Sequence, residues 1–525
     1  MSRPPLLDTP PPSAQLRRAS QPSPSRLDGV ARGRQLVGLP AWAQLVPILA
    51  LAAAVRVWQL GSVGFNSDEA VYSGQAAAIA NHSELEELFP IFRAHPLLFQ
   101  TLLSVGFRLQ LGEGFQRLTV AVMGVVTVYL VYELGKLLYG RRAGVLAALL
   151  MALMPYHVVV TRQVLLDGPM TLFATLTLLL LVRYVLSGRS PWLYAAGGAM
   201  GLTFLSKETS VLLLGAIFAF FALTPEVRVR VRDLAISMGV MALVVAPLPL
   251  SLMLAGRAET GENYLVWQLF RRPNHDWLFY PATVTEAIGP LLLVVALAGL
   301  WLLRREGSWR ETLLLCWLAV PTVFFQLWPV KGYQYLLPIA PPLALLAGRA
   351  LSRHVSKERA LGLLATAIVA VSLLIPTLGR VTDSTFDTFM AGSGGLPAGR
   401  EAGEWVDASV PRGATFMTIG PSMANLIQYY GHRKAYGLSV SPNPLNRNPS
   451  YEPLTNPDRA LRDNEIQYIV WDAFSADRSP HFSQQLLRYA DRYDVRLVHT
   501  EVLPAATARG KKAERPAIVV YEVRP

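Results

Sequence analysis

The stretch Gly64-Phe-Asn-Ser-Asp-Glu-Ala-Val-Tyr72 follows directly on the first long apolar segment of a chain made mostly of such segments. It puts two adjacent carboxylates, Asp68 and Glu69, at the mouth of a membrane helix. A charge at membrane depth costs about 2.5–3.5 kcal/mol on insertion scales, so carboxylates kept there mark a functional site. The competing explanation is local: Asp68 caps a helix running from Glu69 to Ala80, with Glu69 in its first turn. One residue can do both, so capping does not exclude catalysis.

Composition sets the same scene for the whole chain. The 525 residues are 52% hydrophobic and only 16% charged, with a mean hydropathy of +0.33. Soluble domains carry about 25% charged residues, so this is an integral membrane protein. The single cysteine, Cys316, excludes an intramolecular disulfide. No zinc-type Cys/His cluster is present. The net charge of +12 sits largely in tails and loops beside apolar segments, which points to orientation and anionic lipid head groups rather than to nucleic acid.

Residues 1–38 are rich in Pro, Ser and Arg, with Arg17, Arg18, Arg26, Arg32 and Arg34. This reads as a disordered cytoplasmic tail, because the apolar core of a signal peptide stands nearer the start. The first span, Pro40 to Leu60, then delivers Asp68 and Glu69 to the outer face. Further apolar stretches run from residue 96 to residue 378. At close to 20 residues per crossing they predict about 11 to 13 helices over 39–379. A strict count puts the basic turn Lys136-Leu-Leu-Tyr-Gly-Arg-Arg142 outside, against the charge rule. Either the count slips or the turn is an exception.

Two connections are long. The first outer loop, 61–95, contains Glu69–Ala80 and a second piece, His82–Phe89, both expected as short amphipathic helices on the membrane surface. The second, 256–286, sets Arg257, Arg271, Arg272, His275 and Asp276 among aromatics such as Trp267 and Trp277. That mixture suits an interfacial belt or an anionic lipid head group, whose phosphate matches the fork of an arginine. From 380 to 525 the chain turns polar. Strands at Ala414–Ile419, Ile466–Trp471, Val495–Val502 and Ala517–Val523 alternate with helical stretches, predicting one soluble extracytoplasmic α/β domain. No Gly-x-Gly-x-x-Gly follows its first strand, so nothing argues for a nucleotide. A structural or partner-binding cap explains it as well as a substrate role does.

Four more patches carry charge at segment ends. Arg162-Gln-Val-Leu-Leu-Asp167-Gly-Pro places a carboxylate between apolar runs, where Asp167 also suits a helix cap. Lys207-Glu208 is an internally satisfied pair or a loop between short helices, with a phosphate contact as a further role for Lys207. Lys331-Gly-Tyr-Gln-Tyr335 opens a span with residues that also serve as interfacial anchors. His95-Pro96 is ordinary helix-start grammar.

Taken in order, these patches resemble the polyprenyl-phosphate-sugar-dependent glycosyltransferases of the GT-C fold. The match is to family 39, with the protein O-mannosyltransferases and the aminoarabinose transferase of lipid A. The matching stretches are Asp68-Glu-Ala-Val-Tyr72, His95-Pro-Leu-Leu, Gln116-Arg117-Leu, Arg162 to Pro169, Ser206-Lys207 and Tyr333-Gln-Tyr-Leu-Leu-Pro338, together covering about residues 40–355. His95 stands where many relatives have a lysine. The resemblance implies an α-helical polytopic membrane protein with its active site outside the cytoplasm, in a bacterial plasma membrane. It implies a donor sugar linked through one phosphate to a polyprenol, and an acceptor hydroxyl on a glycan, lipid or protein. Asp68 would be the general base of an inverting displacement. Glu69 or Asp167 would orient the acceptor or hold a divalent cation. Arg271, Arg272, Lys207 and Lys331 would face the leaving phosphate, with Tyr335 as a neutral donor. Tyr72, His95, Arg117, Arg162 and Tyr333 complete the expected substrate contacts.

The rival class is a transporter or glycolipid flippase. Such proteins often show internal repeats and broken helices in matching halves. No repeat is visible here, and the acids fall at segment ends rather than mid-span.

Overall fold

Helices of very different length give this membrane protein two chemically distinct ends. The computed structural model describes residues 40–91, 95–256, 258–271, 273–382, 396–506 and 512–524; the expected 1–38 tail, Arg257 and Arg272 lie outside the described residues. Among these, six helices are long and apolar enough to cross a membrane: Glu113–Tyr139, Asp167–Ser187, Val231–Leu254, Trp309–Leu327, Tyr333–Val355 and Arg359–Thr382. The pair Tyr280–Ile288 and Pro290–Leu302, bent by 93°, is a broken seventh span or a re-entrant loop. The bend falls at Gly289, whose φ of +98° suits only glycine, followed by a proline that starts the next helix without needing an N–H donor.

Fewer helices reach spanning length than the about 11 to 13 expected from apolar runs at close to 20 residues each. Apolar runs are cut into shorter pieces. The stretch after Arg141 stops at Leu153 and restarts at Pro155, and the Ala41–Val57 and Ser190–Ser206 helices have 17 residues each.

The stretch from 96 to 111 is an 11-residue helix, Leu98–Arg108, that does not cross. Its Gln100 amide donates to Gln75 at 3.0 Å, and Arg117, in the first turns of the next long helix, donates to the Leu60 carbonyl at 2.9 Å. Residues 60, 75, 100 and 117 therefore lie at one end. The Lys136–Arg142 turn falls at the other end, where the Arg349 guanidinium lies over the Tyr139 ring at 5.3 Å and Arg353 pairs with Glu306 at 2.7 Å. The count slipped by one segment, and the basic turn lies opposite Asp68.

At the carboxylate end the first helix of the loop is Ser67–Ile79. Asp68 is not its cap. Asn66 accepts from the Glu69 N–H at 2.9 Å, while the Glu69 carboxylate accepts from the Asn66 N–H at 3.0 Å, a reciprocal capping box. The piece His82–Phe89 is a run of turns rather than a helix. Leu85 and Phe89 point inward, 3% and 0% exposed. Phe89 covers Gly74 so closely that a Cβ there would stand 2.4 Å from its ring.

The C-terminal region forms a sheet of order β2-β1-β3-β5-β4, with β1 Thr415–Thr418, β2 Lys434–Gly437, β3 Tyr468–Asp472, β4 Val495–Ala506 and β5 Lys512–Val523. β1 pairs in parallel with β2 and β3, and β5 runs antiparallel to both β3 and β4. Helices Gly399–Ser409 and Pro421–Tyr430 cover the face turned to the membrane end. They hold the loop that enters the Asp68 helix. Arg400 donates to the Val63 carbonyl at 3.1 Å and pairs with Glu113 at 2.9 Å. The Phe65 N–H donates to the Tyr430 hydroxyl at 2.7 Å, and Asn425 donates to the Ser67 hydroxyl at 2.9 Å.

Candidate active site

A cavity of about 1510 Å³ opens at this end, walled by both the helices and the sheet region. Asp68, Tyr72, His95, Lys207, Arg271, Lys331, Tyr333 and Tyr335 all line it, so most of the residues singled out in the sequence come together. Glu69, Arg117, Arg162 and Asp167 do not line it. Much of the remaining wall is apolar, with Phe204, Leu212, Phe324 and Trp328 among it.

Asp68 and Glu69 separate because successive positions on a helix diverge by about 100°. Asp68 is half-buried and turned to the cavity. Glu69 is 0% exposed and its carboxylate is saturated. Arg117 reaches it at two points, 2.8 and 2.7 Å, and the N–H groups of Val164 and Asn66 reach it at 2.9 and 3.0 Å. The expected catalytic place for Glu69 is thus corrected: no lone pair faces a substrate. Arg117, 1% exposed, spends its other donors on the carbonyls of Leu60, Val63 and Gly64. Arg162 likewise donates to the carbonyls of Val55 and Trp58. Both were expected to touch substrate; both instead fasten the loop that carries Asp68.

Asp167 opens its helix, but its carboxylate turns to Lys207, whose ammonium donates at 2.8 and 2.9 Å. The same ammonium lies 4.6 Å from the centre of the Tyr335 ring. Lys207 therefore brings a compensated positive charge to the cavity wall, with Asp167 behind it. Its neighbour Glu208 looks the other way, because Lys207 is extended (φ −160°, ψ 124°) and consecutive side chains on extended backbone point apart. Glu208 accepts from His95 at 3.0 Å and from the Tyr264 hydroxyl at 3.1 Å. His95 also meets Tyr72 and Tyr264 edge-on at 5.9 and 5.4 Å between ring centres. Neither the pairing of Glu208 with His95 nor that of Tyr264 with Glu208 was foreseen, since 113 and 56 residues separate these pairs.

The other two cations have no acidic partner among the described residues. Arg271 lies over the Trp267 ring at 4.5 Å and donates to Gln268 at 3.3 Å. Lys331 donates to the carbonyls of Trp328 and Gln326 at 3.1 and 3.3 Å. Its backbone is clamped by Asn274, which accepts from the Lys331 N–H and donates to the Lys331 carbonyl, both at 2.8 Å. Burial, and then the Asp68 carboxylate, push the Tyr72 phenol well above its ordinary range. It stays protonated beside Asp68 as a neutral donor.

Neither carboxylate expected to hold a divalent cation fits one. Glu69 is surrounded by four donors and Asp167 is engaged by an ammonium, whereas a cation needs lone pairs facing open space. No group of three or more His, Cys, Asp or Glu with ligating geometry occurs among the described residues.

A long-helix membrane bundle with a buried-strut loop, a cavity at one end and a small α/β domain over it defines the GT-C class of fold. The likenesses of this chain agree. Residues 94–251 match the family model described as dolichyl-phosphate-mannose-protein mannosyltransferase. Two curated relatives named undecaprenyl phosphate-alpha-4-amino-4-deoxy-L-arabinose arabinosyl transferase are similar in part. The protein of Pectobacterium carotovorum is 31% identical over 242 residues, 42% of each chain. That of Pseudomonas fluorescens is 31% identical over 170 residues, 30% of each chain. The chain thus spans well under half the length of these relatives in alignment. Among solved structures, ArnT from Cupriavidus metallidurans in the apo state superposes with a TM-score of 0.66 at 16% identity, over 91% of this chain and 97% of that one. The same protein bound to undecaprenyl phosphate gives 0.65 at 15% identity, over 92% and 98%. At that identity the agreement is one of fold.

Proposed function

We propose that this protein is a membrane glycosyltransferase that moves a sugar from a polyprenyl-phosphate donor to an acceptor hydroxyl. The observation that carries this reading is the composition of one cavity: Asp68, four cations (Lys207, Arg271, Lys331 and Arg478) and an apolar wall together. A polyprenyl tail needs the apolar wall, and its phosphate needs fixed positive charge. The likeness to a fold solved with undecaprenyl phosphate supports the donor class, and the partial likeness to arabinosyl transferases supports a pentose or hexose as the group moved.

In this reading Asp68 takes the proton of the acceptor hydroxyl as its oxygen attacks the anomeric carbon, worth about 10²–10⁴-fold in rate. The bond from that carbon to the phosphate oxygen breaks, and the electron pair leaves on the lipid phosphate. Arg271 and Lys331 receive the growing charge, with Lys207 and the neutral Tyr335 beside them; fixed donors in a water-poor site stabilise such charge strongly. A single displacement inverts the anomeric configuration. The basic turn at Lys136–Arg142 lies opposite Asp68, which by the positive-inside rule supports a site outside the cytoplasm of a plasma membrane, with the N-terminus inside. Glu69, Arg117 and Arg162 serve as positioning residues for Asp68.

The test is a panel of radiolabelled polyprenyl-phosphate sugars offered to the purified protein in lipid nanodiscs. Consumption of one donor with an inverted product supports the reading. No consumption of any, or a retained configuration, overturns it.

A further inference from the structure

A second, smaller cavity of about 440 Å³ lies beside the first, and the chemistry above does not use it. It sits between the turn segment 83–90 and the free edge of the C-terminal sheet, where β2 is the outermost strand. Its lining is more polar than that of the large cavity and carries charges of both signs. Arg412, Arg433 and Lys434 are matched in number by Glu84, Glu87 and Glu452. The cations are also paired individually, Arg412 with Glu84 at 3.0 Å, Lys434 with Glu452 at 3.0 Å and Arg433 with Asp407 at 3.4 Å. With Asp407 counted, four acids face these three cations and His432, so no strong surplus of either sign is left to draw a polyanion or a polycation.

Also facing the space, with His432, Ser83 and Ser450, are the phenols Tyr436 and Tyr451 and the amides Asn425 and Gln428. Phenols and amides both donate and accept, and phenol rings add a flat apolar face. That set suits a neutral, hydroxyl-rich ligand. The position of the pocket gives it a purpose. Asn425, 2% exposed, donates to the Ser67 hydroxyl at 2.9 Å, and Ser67 precedes Asp68. Tyr451 lines both cavities. The two spaces thus share a wall one residue from the proposed base.

We propose that the smaller cavity is an acceptor subsite for a neutral oligosaccharide. It holds sugar units that do not react while the reacting hydroxyl passes Tyr451 to Asp68. This rests on the transferase reading: the acceptor oxygen bonds to the donor's anomeric carbon, its proton goes to Asp68, and the lipid phosphate leaves with the bonding pair.

Binding is measured without donor, on the full chain in nanodiscs, with neutral tetrasaccharides (maltotetraose, mannotetraose and chitotetraose), anionic tetragalacturonate and cationic tetraglucosamine. Hydrogen exchange over 83–90 and 421–437 reports the place. The expected result is slowed exchange in both segments with at least one neutral probe, and weaker binding of both charged ones. Tyr436→Ala should weaken the neutral probe about tenfold or more, as removal of a central aromatic contact does. Glu452→Gln, at a position 66% exposed where folding is not at risk, should shift preference toward tetragalacturonate. If no neutral probe slows exchange there, if a charged probe binds best to the wild type, or if Glu452→Gln leaves selectivity unchanged, the proposal is overturned. Because no donor is present, failure here is read separately from a failure of turnover by Asp68.

Discussion

Arg117 grips Glu69 at two points, Nε to Oε1 at 2.8 Å and Nη2 to Oε2 at 2.7 Å, with both side chains 1% exposed. The carboxylate one residue earlier, Asp68, faces the cavity instead. The helix thus turns one acid of a pair inward as a strut and leaves the other to act. Arg117 spans 48 residues to do so and ties three loop carbonyls down as well.

Arg117→Lys tests the strut. An ammonium is a point charge and cannot bridge both carboxylate oxygens while holding three carbonyls. The charge stays but several charged hydrogen bonds are lost, each worth about 1.5–3 kcal/mol, so the variant should unfold at a clearly lower temperature in detergent. Its turnover should fall with the donor's affinity nearly kept, because Asp68 is displaced while the cations stay. A wild-type melting profile with full turnover would remove the strut from the account.

Lys207→Met and Asp167→Asn should each destabilise, since each strands a buried partner, again by about 3–5 kcal/mol for the charge left alone. The double variant Asp167→Asn/Lys207→Met should lose less stability than the two singles added together. A double-mutant cycle on thermal unfolding measures this coupling. Additive losses would mean that the 2.8 Å contact contributes nothing by itself.

Arg271→Ala and Lys331→Ala should act on donor affinity with little change in stability, because neither has an acidic partner among the described residues. Hydrogen bonds to a charged group are worth about 1.5–3 kcal/mol, which is roughly 10- to 100-fold in affinity. Binding of undecaprenyl phosphate to nanodisc-held protein, followed by fluorescence or scintillation proximity, gives the number. Affinity within twofold of wild type would free both residues from the phosphate role.

Asp472, outside the membrane helices, predicts a pH dependence of the sheet. Burial raises its carboxyl from 3.8 to about 6, and its Oδ2 finds no partner among the described residues. The folded state therefore favours the protonated form. The stabilisation is full below about pH 4, the unfolded value, and is lost as pH rises through about 6. The shift corresponds to a few kcal/mol, about 1.4 per unit. Asp472→Asn keeps the 2.6 Å bond from the Ser475 N–H and stays neutral, so hydrogen exchange over β3 should be slower than wild type at pH 8 and equal to it at pH 4. Equal exchange at both pH values would contradict the buried carboxyl.

Much of the site was legible because it lies in local patterns. Acids and cations at the ends of apolar runs marked the cavity wall, from Asp68 to Tyr335, and four of the five strands showed as short β-rich runs. What escaped were choices between near-equivalent neighbours. In Asn66-Ser-Asp68-Glu69 both Asn66 and Asp68 are good caps, yet only Asn66 has an acid three residues on, which completes a capping box. Whether Lys207 and Glu208 pair with each other or stand in a loop between helices was open in the sequence. Extended backbone at Lys207 sends them to Asp167 and His95 instead. The strict count puts the Lys136–Arg142 turn on the wrong side because it takes the stretch 96–111 as a crossing, whereas its helix Leu98–Arg108 has only 11 residues. Its contacts with the loop helix, not its composition, decide that it does not cross. The edge strand Lys434–Gly437 is too short and too polar to announce itself.

The central claim is that Asp68 is the base. Single-turnover kinetics with a saturating radiolabelled polyprenyl-phosphate sugar, comparing Asp68→Asn with wild type, measures it directly. The account predicts a fall of about 10²–10⁴-fold in the chemical step, with donor affinity and melting temperature unchanged. An Asp68→Asn enzyme that transfers sugar at the wild-type rate would contradict it.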